Sequence, residues 1–248
     1  MFDSYKKIFE ERGHLYHQAM IEQPRARDQE FENIVACADL APGQRVCDAP
    51  SGGGYLEGYS PRGTRLVSLE TSAIFAHLAH ENQAPAPTLT TLERLPFRDA
   101  CFDRVVSAAA LHHVEDKAAF HDEAARVLAP GGALCVADVP DGSGVADFLD
   151  VFVDGHSRMG HSGLFLDEDY PKRLEEAGLR VEQAERIPFV WSFDAPASMA
   201  RFAQLLFGID RASLDEVRAG IERHVGWRAV PGGCEMCWEL AFFRAVKP

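Results

Sequence analysis

The sequence lacks any run of about 18 apolar residues, although 46% of its 248 residues are hydrophobic. A membrane-spanning helix needs a run of that length, so we expect no membrane span. The first residues, MFDSYKKIFEERGH, are charged and contain no apolar core of a signal peptide. We therefore expect a cytoplasmic protein.

The chain has fewer basic residues than acidic ones. The chain has 25 Lys and Arg against 38 Asp and Glu, which gives a formal net charge of −13. The longest basic cluster is the short stretch from Arg25 to Arg27. Nucleic-acid-binding proteins carry a basic patch or stripe, so we expect no nucleic-acid partner.

Cysteines are also few, and Cys234 and Cys237 have no second pair that could complete a typical zinc site. On a strand, residues three apart point to opposite faces, which argues against a disulfide between them. We expect these cysteines to pack within a strand, we expect no bound metal, and we expect a reducing compartment.

No linker rich in Pro, Gly or Ser, no charge block and no internal repeat divides the chain, so we expect one domain over residues 1–248. Residues 2–12 and 27–40 are predicted to be helices. Short apolar strands then alternate with helices. The predicted strands span residues 45–48, 65–69, 88–91, 102–107 and 133–139, and the helices between them span 73–81 and 117–128. This alternation predicts βαβ units around a parallel sheet.

The second half continues differently. A helix at 145–153, a loop at 154–164 and a helix at 167–177 precede a strand at 179–190. Two helices within residues 195–223 then lead to a last strand at 234–246. We expect an α/β fold with a doubly wound, mostly parallel seven-stranded sheet. Its last strand is antiparallel, N-terminal helices precede it, and a helical insertion separates strands six and seven.

A glycine-rich turn follows the first predicted strand in VCDAPSGGGYL, residues 46–56. Glycines let the backbone approach a ligand closely and adopt positive φ, and ligands bind at the carboxyl ends of parallel strands. The second strand ends at Glu70, 18 residues after Gly52. An acidic residue at that distance suits hydrogen bonds to ribose hydroxyls.

Further motifs follow this turn in a fixed order. They are Leu95-Pro96-Phe97, Phe102-Asp103, Leu111-His112-His113, Arg126-Val127-Leu128 and Pro130-Gly131-Gly132. Together with Asp48, the glycines and Glu70, this set resembles the class I S-adenosylmethionine-dependent methyltransferases. The similarity is greatest to the subgroup of quinone-biosynthesis C-methyltransferases and biotin-pathway carrier-protein methyltransferases. It covers roughly residues 26–139.

The resemblance implies S-adenosylmethionine as the cofactor, bound within residues 41–139. The implied cofactor-binding residues are Asp48, Pro50, Ser51, Gly52, Gly54, Tyr55, Glu70, Thr71, Thr91, Leu92, Glu93 and Ala108. Two of them depart from the family pattern. Pro50 stands where a glycine is usual and lacks an N–H donor, and Thr91 stands where an aspartate often accepts from the adenine amino group.

Residues 140–248 would then face a small-molecule substrate. Tyr16, His156 and His161 are candidate substrate contacts, and the segment 154–166 is a candidate lid because glycines flank its histidines. If the acceptor is a hydroxyl or an acidic C–H, a base is needed, and His112, His113 and His161 are the candidates. The acceptor and its reacting atom are left open, as is the oligomeric state.

Two other functions remain possible at this point. The chain could bind S-adenosylmethionine or another adenosine ligand without turnover and act as a regulatory subunit. It could also be an NAD(P)-dependent oxidoreductase, although Glu57 stands where the dinucleotide fingerprint G-x-G-x-x-G needs its third glycine.

Overall fold

The computed structural model describes residues 5–82, 84 and 86–248, so residues 2–4 of the predicted N-terminal helix lie outside the described residues. Two helices come first, α1 at Tyr5–Glu22 and α2 at Asp28–Ala38. Helix α1 extends ten residues beyond its predicted end at residue 12. Its buried residues are spread along its length and include Tyr5, Phe9 and Met20, so the helix is held mainly by tertiary packing.

The centre of the fold is a twisted sheet built from eight strands in the described residues. They are β1 Arg45–Asp48, β2 Arg65–Glu70, β3 Thr88–Leu89, β4 Phe102–Ala108, β5 Leu128–Asp138, β6 Arg180–Phe193, β7 Trp227–Val230 and β8 Gly233–Val246. The strand order is β3-β2-β1-β4-β5-β8-β6. Strands β3, β2, β1, β4 and β5 pair in parallel, and β8 runs antiparallel between β5 and β6. The predicted doubly wound sheet with an antiparallel last strand is confirmed.

Strand β7 was not predicted from the sequence. It pairs antiparallel with the start of β8, as the first arm of a short hairpin. Its four residues are exposed or half-buried, so they carry no apolar signal that a sequence pattern could show. The third strand is shorter than predicted, because its pairing with β2 stops at Leu89.

Helices cover both faces of the sheet because neighbouring strand residues point to opposite sides. On one face, Val46 and Val106 pack in a core with Ile34 of α2. On the other face, Cys47 and Val105 pack in a second core with Phe120.

The remaining helices are α3 Ala73–Glu81, α4 Lys117–Val127, α5 Gly144–Asp147, α6 Asp154–His156, α7 Tyr170–Glu176, α8 Pro196–Phe207 and α9 Leu214–His224.

The segment after β5 differs from its prediction as a helix followed by a loop. A π-helical stretch, Phe148–Val153, joins α5 to α6, so residues 154–156 are helical and not loop. The side chain of His156 bonds back to the carbonyl of Phe152 at 2.8 Å, which fits a helical turn. The helical insertion between β6 and β8 is present as α8 and α9.

Within the described ranges, no helix is both long and apolar enough to cross a membrane. All six cysteines are free, and four of them are buried. Cys234 is buried while Cys237 is partly exposed, as expected for residues on opposite faces of a strand.

Candidate active site

The glycine-rich turn lies where β1 ends. The Ala49–Pro50 peptide is cis, and Gly52 and Gly54 have φ of +56° and +75°. A Cβ on Gly54 would lie 2.5 Å from the Cβ of Ala84, so both the backbone angle and the space require glycine there. Apart from its two chain neighbours, no heavy atom of the described residues lies within 4 Å of the corresponding position on Gly52. The turn therefore leaves its backbone open to a ligand on the Gly52 side.

Glu70 ends β2 beside this turn and is fully buried. Its Oε1 accepts the backbone N–H groups of Thr71 at 2.7 Å and Ser72 at 2.9 Å. Its Oε2 accepts the hydroxyl of Tyr5 at 3.3 Å. Burial raises the pKa of Glu70 to about 7, although these hydrogen bonds act to lower it. The carboxyl group is thus fixed in orientation and presents one oxygen towards α1.

Asp48 is the second carboxyl group at this edge and is also buried. Among the residues that the structure describes, its Oδ2 has no hydrogen-bond partner, and neither do the hydroxyls of Ser51 and Thr71. Burial and then the neighbouring Glu70 raise the pKa of Asp48 well above its usual value. Buried polar atoms without partners are uncommon in folded proteins, so these three groups fit a polar ligand held against the turn.

A cavity of about 50 Å³ lies beside the turn, and we call it the turn cavity. Asp48 and Ser51 line it, whereas Glu70 and Thr71 do not. Asp48, Pro50, Ser51, Gly52, Tyr55 and Ala108 line one side of it, and Tyr5, Phe9 and Tyr16 of α1 line the other. Of the residues expected to hold adenine, Leu92 is buried and Thr91 and Glu93 are exposed, and none of the three lines this cavity.

A second cavity of about 60 Å³ adjoins the first, and we call it the aromatic cavity. Its lining shares Phe9, Tyr16, Arg27 and Ala109 with the turn cavity. Its apolar wall includes Leu149, Trp191, Leu206, Phe207, Trp238 and Leu240. Trp191 and Trp238 stack with ring centroids 4.3 Å apart and planes inclined by 21°. This wall suits a flat, apolar molecule.

Three histidines form the polar end of the aromatic cavity: His112, His113 and His161. His112 and His113 occupy a single turn, Leu111–His113, after β4. His161 comes from the segment after α6 and places its ring centroid 5.8 Å from that of His112 and 5.1 Å from that of His113. The backbone N–H of Leu164 donates to the carbonyl of His112 at 2.8 Å, so this segment is tied directly to the histidine turn.

Two aspartates orient two of these rings. Nδ1 of His112 lies 2.6 Å from Oδ1 of Asp138, the last residue of β5. Burial raises the pKa of Asp138, but the His112 contact and backbone amides outweigh it and leave that pKa below its usual value. An ionised carboxylate only accepts, so Nδ1 of His112 donates and its Nε2 is left without a proton while the ring is neutral.

His161 is held in the same way, with Nδ1 2.6 Å from Oδ1 of Asp150. Burial lowers the pKa of His161, and the Asp150 contact opposes this. Burial, with help from the other two histidines, holds the pKa of His113 well below its usual value. The rings of His113 and His161 are therefore favoured in the neutral form, which can accept a proton or bind a metal.

The three histidines were predicted from the sequence, but the charged residues around them were not. Arg12 and Arg27 line the aromatic cavity, together with Glu30. Arg27 forms a buried, two-bond ion pair with Glu30. Arg12 is also buried, its guanidinium donates to the carbonyl of Phe207, and its Nε has no partner. Both arginines come from N-terminal segments whose sequence gives no sign of where they fold.

The remaining substrate candidates lie in different places. Tyr16 lines both cavities. His156 lines neither, because its ring stacks on Phe152 at 4.4 Å and its Nδ1 contacts the Phe152 carbonyl. The candidate lid thus contributes His161 to the aromatic cavity, while His156 is engaged in its own helical turn.

An open parallel sheet with a polar glycine turn and acidic strand ends defines a nucleotide-type ligand-binding protein of the doubly wound class. Similarity to known proteins shows which family of this class the chain belongs to. Residues 48–136 match the family described as "Methyltransferase domain". The demethylmenaquinone methyltransferase of Corynebacterium urealyticum is 34% identical over 211 residues, which cover 85% of this chain and 79% of that protein. The chain belongs to the methyltransferase family.

Two further similarities are more limited. The 27-O-demethylrifamycin SV methyltransferase of Amycolatopsis mediterranei is 34% identical over 129 residues. That match covers 50% of this chain and 45% of the relative, so the chain spans less than half of that relative's length. The geranyl diphosphate C-methyltransferase of Streptomyces coelicolor, solved with S-adenosyl-L-homocysteine, has the same fold. Its TM-score is 0.60 at 14% identity, with 94% of this chain and 84% of that chain covered.

Proposed function

We propose that this protein transfers a methyl group from S-adenosylmethionine to a small, flat, largely apolar acceptor. The observation that carries the proposal is the junction of two cavities at Ala109, with polar groups on one side and an aromatic wall on the other. Methyl transfer needs a donor and an acceptor held in line at close range. Two adjoining cavities of different chemistry supply that arrangement.

The residues of the turn cavity, with Glu70 behind Tyr5 at its edge, fit the cofactor. Glu70 would accept from the ribose hydroxyls, and the open backbone at Gly52 would support the methionine part. Asp48, whose Oδ2 is buried without a partner, would offer an acceptor to the methionine amino group. When bound, S-adenosylmethionine supplies a methyl group on a positively charged sulfur. Two carboxyl groups suit such a cation, whereas they would oppose the pyrophosphate of NAD(P).

The aromatic cavity would hold the acceptor. Trp191, Phe207 and Trp238 would pack against its apolar body, and the histidine end would face its reacting atom. The segment 154–166 would close this side and keep water away from the reaction. Tyr16 lies between the two cavities and would separate or align the two ligands. We also propose that residues 1–248 act as one domain, because the two adjoining cavities together are built from the N-terminal helices, the sheet and the insertion.

Mass spectrometry with methyl-labelled S-adenosylmethionine tests this function. The protein is incubated with the labelled cofactor and fractions of small aromatic hydroxy compounds, and label is followed into a methylated product. We expect product formation and one bound S-adenosylhomocysteine per chain in calorimetry. Binding of S-adenosylhomocysteine without transfer to any fraction would favour the non-catalytic regulatory alternative, and absence of binding would contradict the proposal.

A further inference from the structure

The three histidines at the end of the aromatic cavity have a property that methyl transfer does not require. One ring nitrogen from each of His112, His113 and His161 lies within 4.8 Å of the others. Zinc binds histidine nitrogen at 2.0–2.1 Å, which separates tetrahedral ligands by about 3.3 Å. Each nitrogen would need to move by about 1 Å or less to reach that geometry, which small side-chain rotations can provide.

The surroundings of two rings match those of metal-binding histidines. Such residues commonly donate their second N–H to a carboxylate, which fixes the ring and makes the binding nitrogen more basic. His112 donates to Asp138 and His161 donates to Asp150, each at 2.6 Å. Both rings therefore keep Nε2 free to bind. The carboxylates are themselves fixed, since Asp138 accepts from the N–H of Ala110 and Asp150 accepts from the N–H of Gly163.

His113 supplies an independent observation. Its side chain is buried, and its Nδ1 has no hydrogen-bond partner in the described part of the chain. A buried ring nitrogen without a partner is costly unless something else satisfies the site. A metal ion between the three rings would give the His113 ring a binding partner.

We propose that His112, His113 and His161 form a binding site for a divalent transition metal such as zinc, with one coordination position open to the aromatic cavity. Three histidines with one open position are a common arrangement for zinc that acts on a substrate. Imidazole ligands favour zinc, copper, iron or nickel over magnesium and calcium.

The nearby charges indicate what the open position would take. Asp138 and Asp150 balance a dication, and the buried guanidinium of Arg12 adds one positive charge in the same cavity. Together these groups leave one positive charge, so a single anionic oxygen bound to the metal would make the site neutral. If the proposed methyl transfer holds, the acceptor would bind through such an oxygen, a phenolate or a carboxylate, placed beside Ala109.

Cobalt titration of tag-free, chelator-treated protein tests the site directly. Tetrahedral Co²⁺ absorbs visible light much more strongly than hydrated Co²⁺, and the titration needs neither cofactor nor acceptor. We expect one Co²⁺ per chain, displaced by one Zn²⁺. The absorption should disappear in His112→Ala, His113→Ala and His161→Ala, and persist in His156→Ala, a histidine of the same segment that lies outside the cavity.

Asp150→Asn provides a milder variant in case a histidine variant fails to fold, as checked by circular dichroism. Loss of an oriented carboxylate behind a ligand weakens metal binding about 10- to 100-fold, and we expect a loss of that size. Absence of the absorption band in the parent protein, its survival in a folded His161→Ala variant, or unchanged affinity in Asp150→Asn would each overturn the proposal. Calorimetry with S-adenosylhomocysteine on the same metal-free sample tests the methyltransferase function separately, so either proposal can fail alone.

Discussion

The hydroxyl of Tyr5 donates to Oε2 of Glu70 at 3.3 Å, and this contact places α1 over the carboxyl group that ends β2. Phe9 of the same helix packs against Phe75 with ring centroids 4.7 Å apart. The turn cavity beneath is about 50 Å³, whereas pockets for small ligands and cofactors usually measure about 300–1,000 Å³. We therefore expect the start of α1 to move when a whole cofactor binds.

The first prediction concerns Tyr5→Phe. In the proposed complex, the ribose hydroxyls compete with the Tyr5 hydroxyl for Glu70. Removing that hydroxyl takes away a contact that favours the closed form, and a hydrogen bond to a charged group is worth about 1.5–3 kcal/mol. We expect S-adenosylhomocysteine to bind at least about tenfold more tightly to the variant in calorimetry. Tyr59→Phe is the control, because its hydroxyl contacts Asp28 instead. Weaker binding to Tyr5→Phe would show that Tyr5 supports the cofactor.

The second prediction concerns the charge of Glu70. Glu70→Gln keeps an oxygen that can accept from Thr71 and Ser72 but loses the carboxylate that would accept from ribose. We expect at least a tenfold loss of S-adenosylhomocysteine affinity, since bonds to charged groups contribute about 1.5–3 kcal/mol each. The exposed Glu176→Gln is the control. Equal affinity in the parent protein, Glu70→Gln and Glu176→Gln would mean that Glu70 serves only to hold the backbone after β2.

The third prediction is a pH dependence of cofactor binding. Burial raises the pKa of Glu70 to about 7, and only the ionised form accepts two ribose hydroxyls. Below pH 7 the free protein must therefore lose a proton to bind. Affinity should rise with pH, by up to tenfold per pH unit, and level off above about pH 7. Tyr5 and Asp48 are the titratable groups that face Glu70, and the pKa of each is raised by burial and by Glu70.

Calorimetry of S-adenosylhomocysteine binding between pH 5.5 and 8, in buffers of different ionisation enthalpy, measures this proton release. We expect the release to shrink in Glu70→Gln, leaving only the contribution of Asp48. A pH-independent affinity in the parent protein would contradict the raised pKa of Glu70.

The cofactor edge could be predicted from the sequence because its signals are local. Asp48, the glycines and Glu70 each lie at the end of a short apolar strand, and the strand alternation sets which edge they share. Asp138 follows the same rule at the end of β5, so the signal that pointed to Glu70 also applied to it.

The acceptor side could not be predicted in the same way. Asp150 lies in a helical stretch with nothing to distinguish it from a solvent-exposed acid, and its contact with His161 depends on how residues 154–166 fold back. Arg12 and Arg27 reach the aromatic cavity only because α1 and α2 pack across the carboxyl edge of the sheet. Such contacts arise from tertiary packing, which spacing along the chain does not encode.

The last prediction concerns the stability of the wall between α2 and the aromatic cavity. Arg27 and Glu30 form an ion pair whose side chains are 5% and 0% exposed. Nε1 of Trp191 also donates to Glu30 at 2.9 Å, and the Arg27 guanidinium lies over the Trp191 ring, 5.4 Å from its centroid. Removing one charge from a buried pair leaves the other without compensation, which costs about 3–5 kcal/mol.

We therefore expect Glu30→Gln to lower the free energy of unfolding by about 3 kcal/mol in urea titrations, near the lower limit for a broken buried pair because the amide still accepts from Trp191. Arg25→Gln is a matched control. Arg25 forms an ion pair with Asp28 at the same three-residue spacing, but its side chain is 89% exposed. An exposed pair contributes about 0–1 kcal/mol, so this variant should unfold close to the parent. Equal, small losses in both variants would show that water reaches Arg27 and that the aromatic cavity is open on this side.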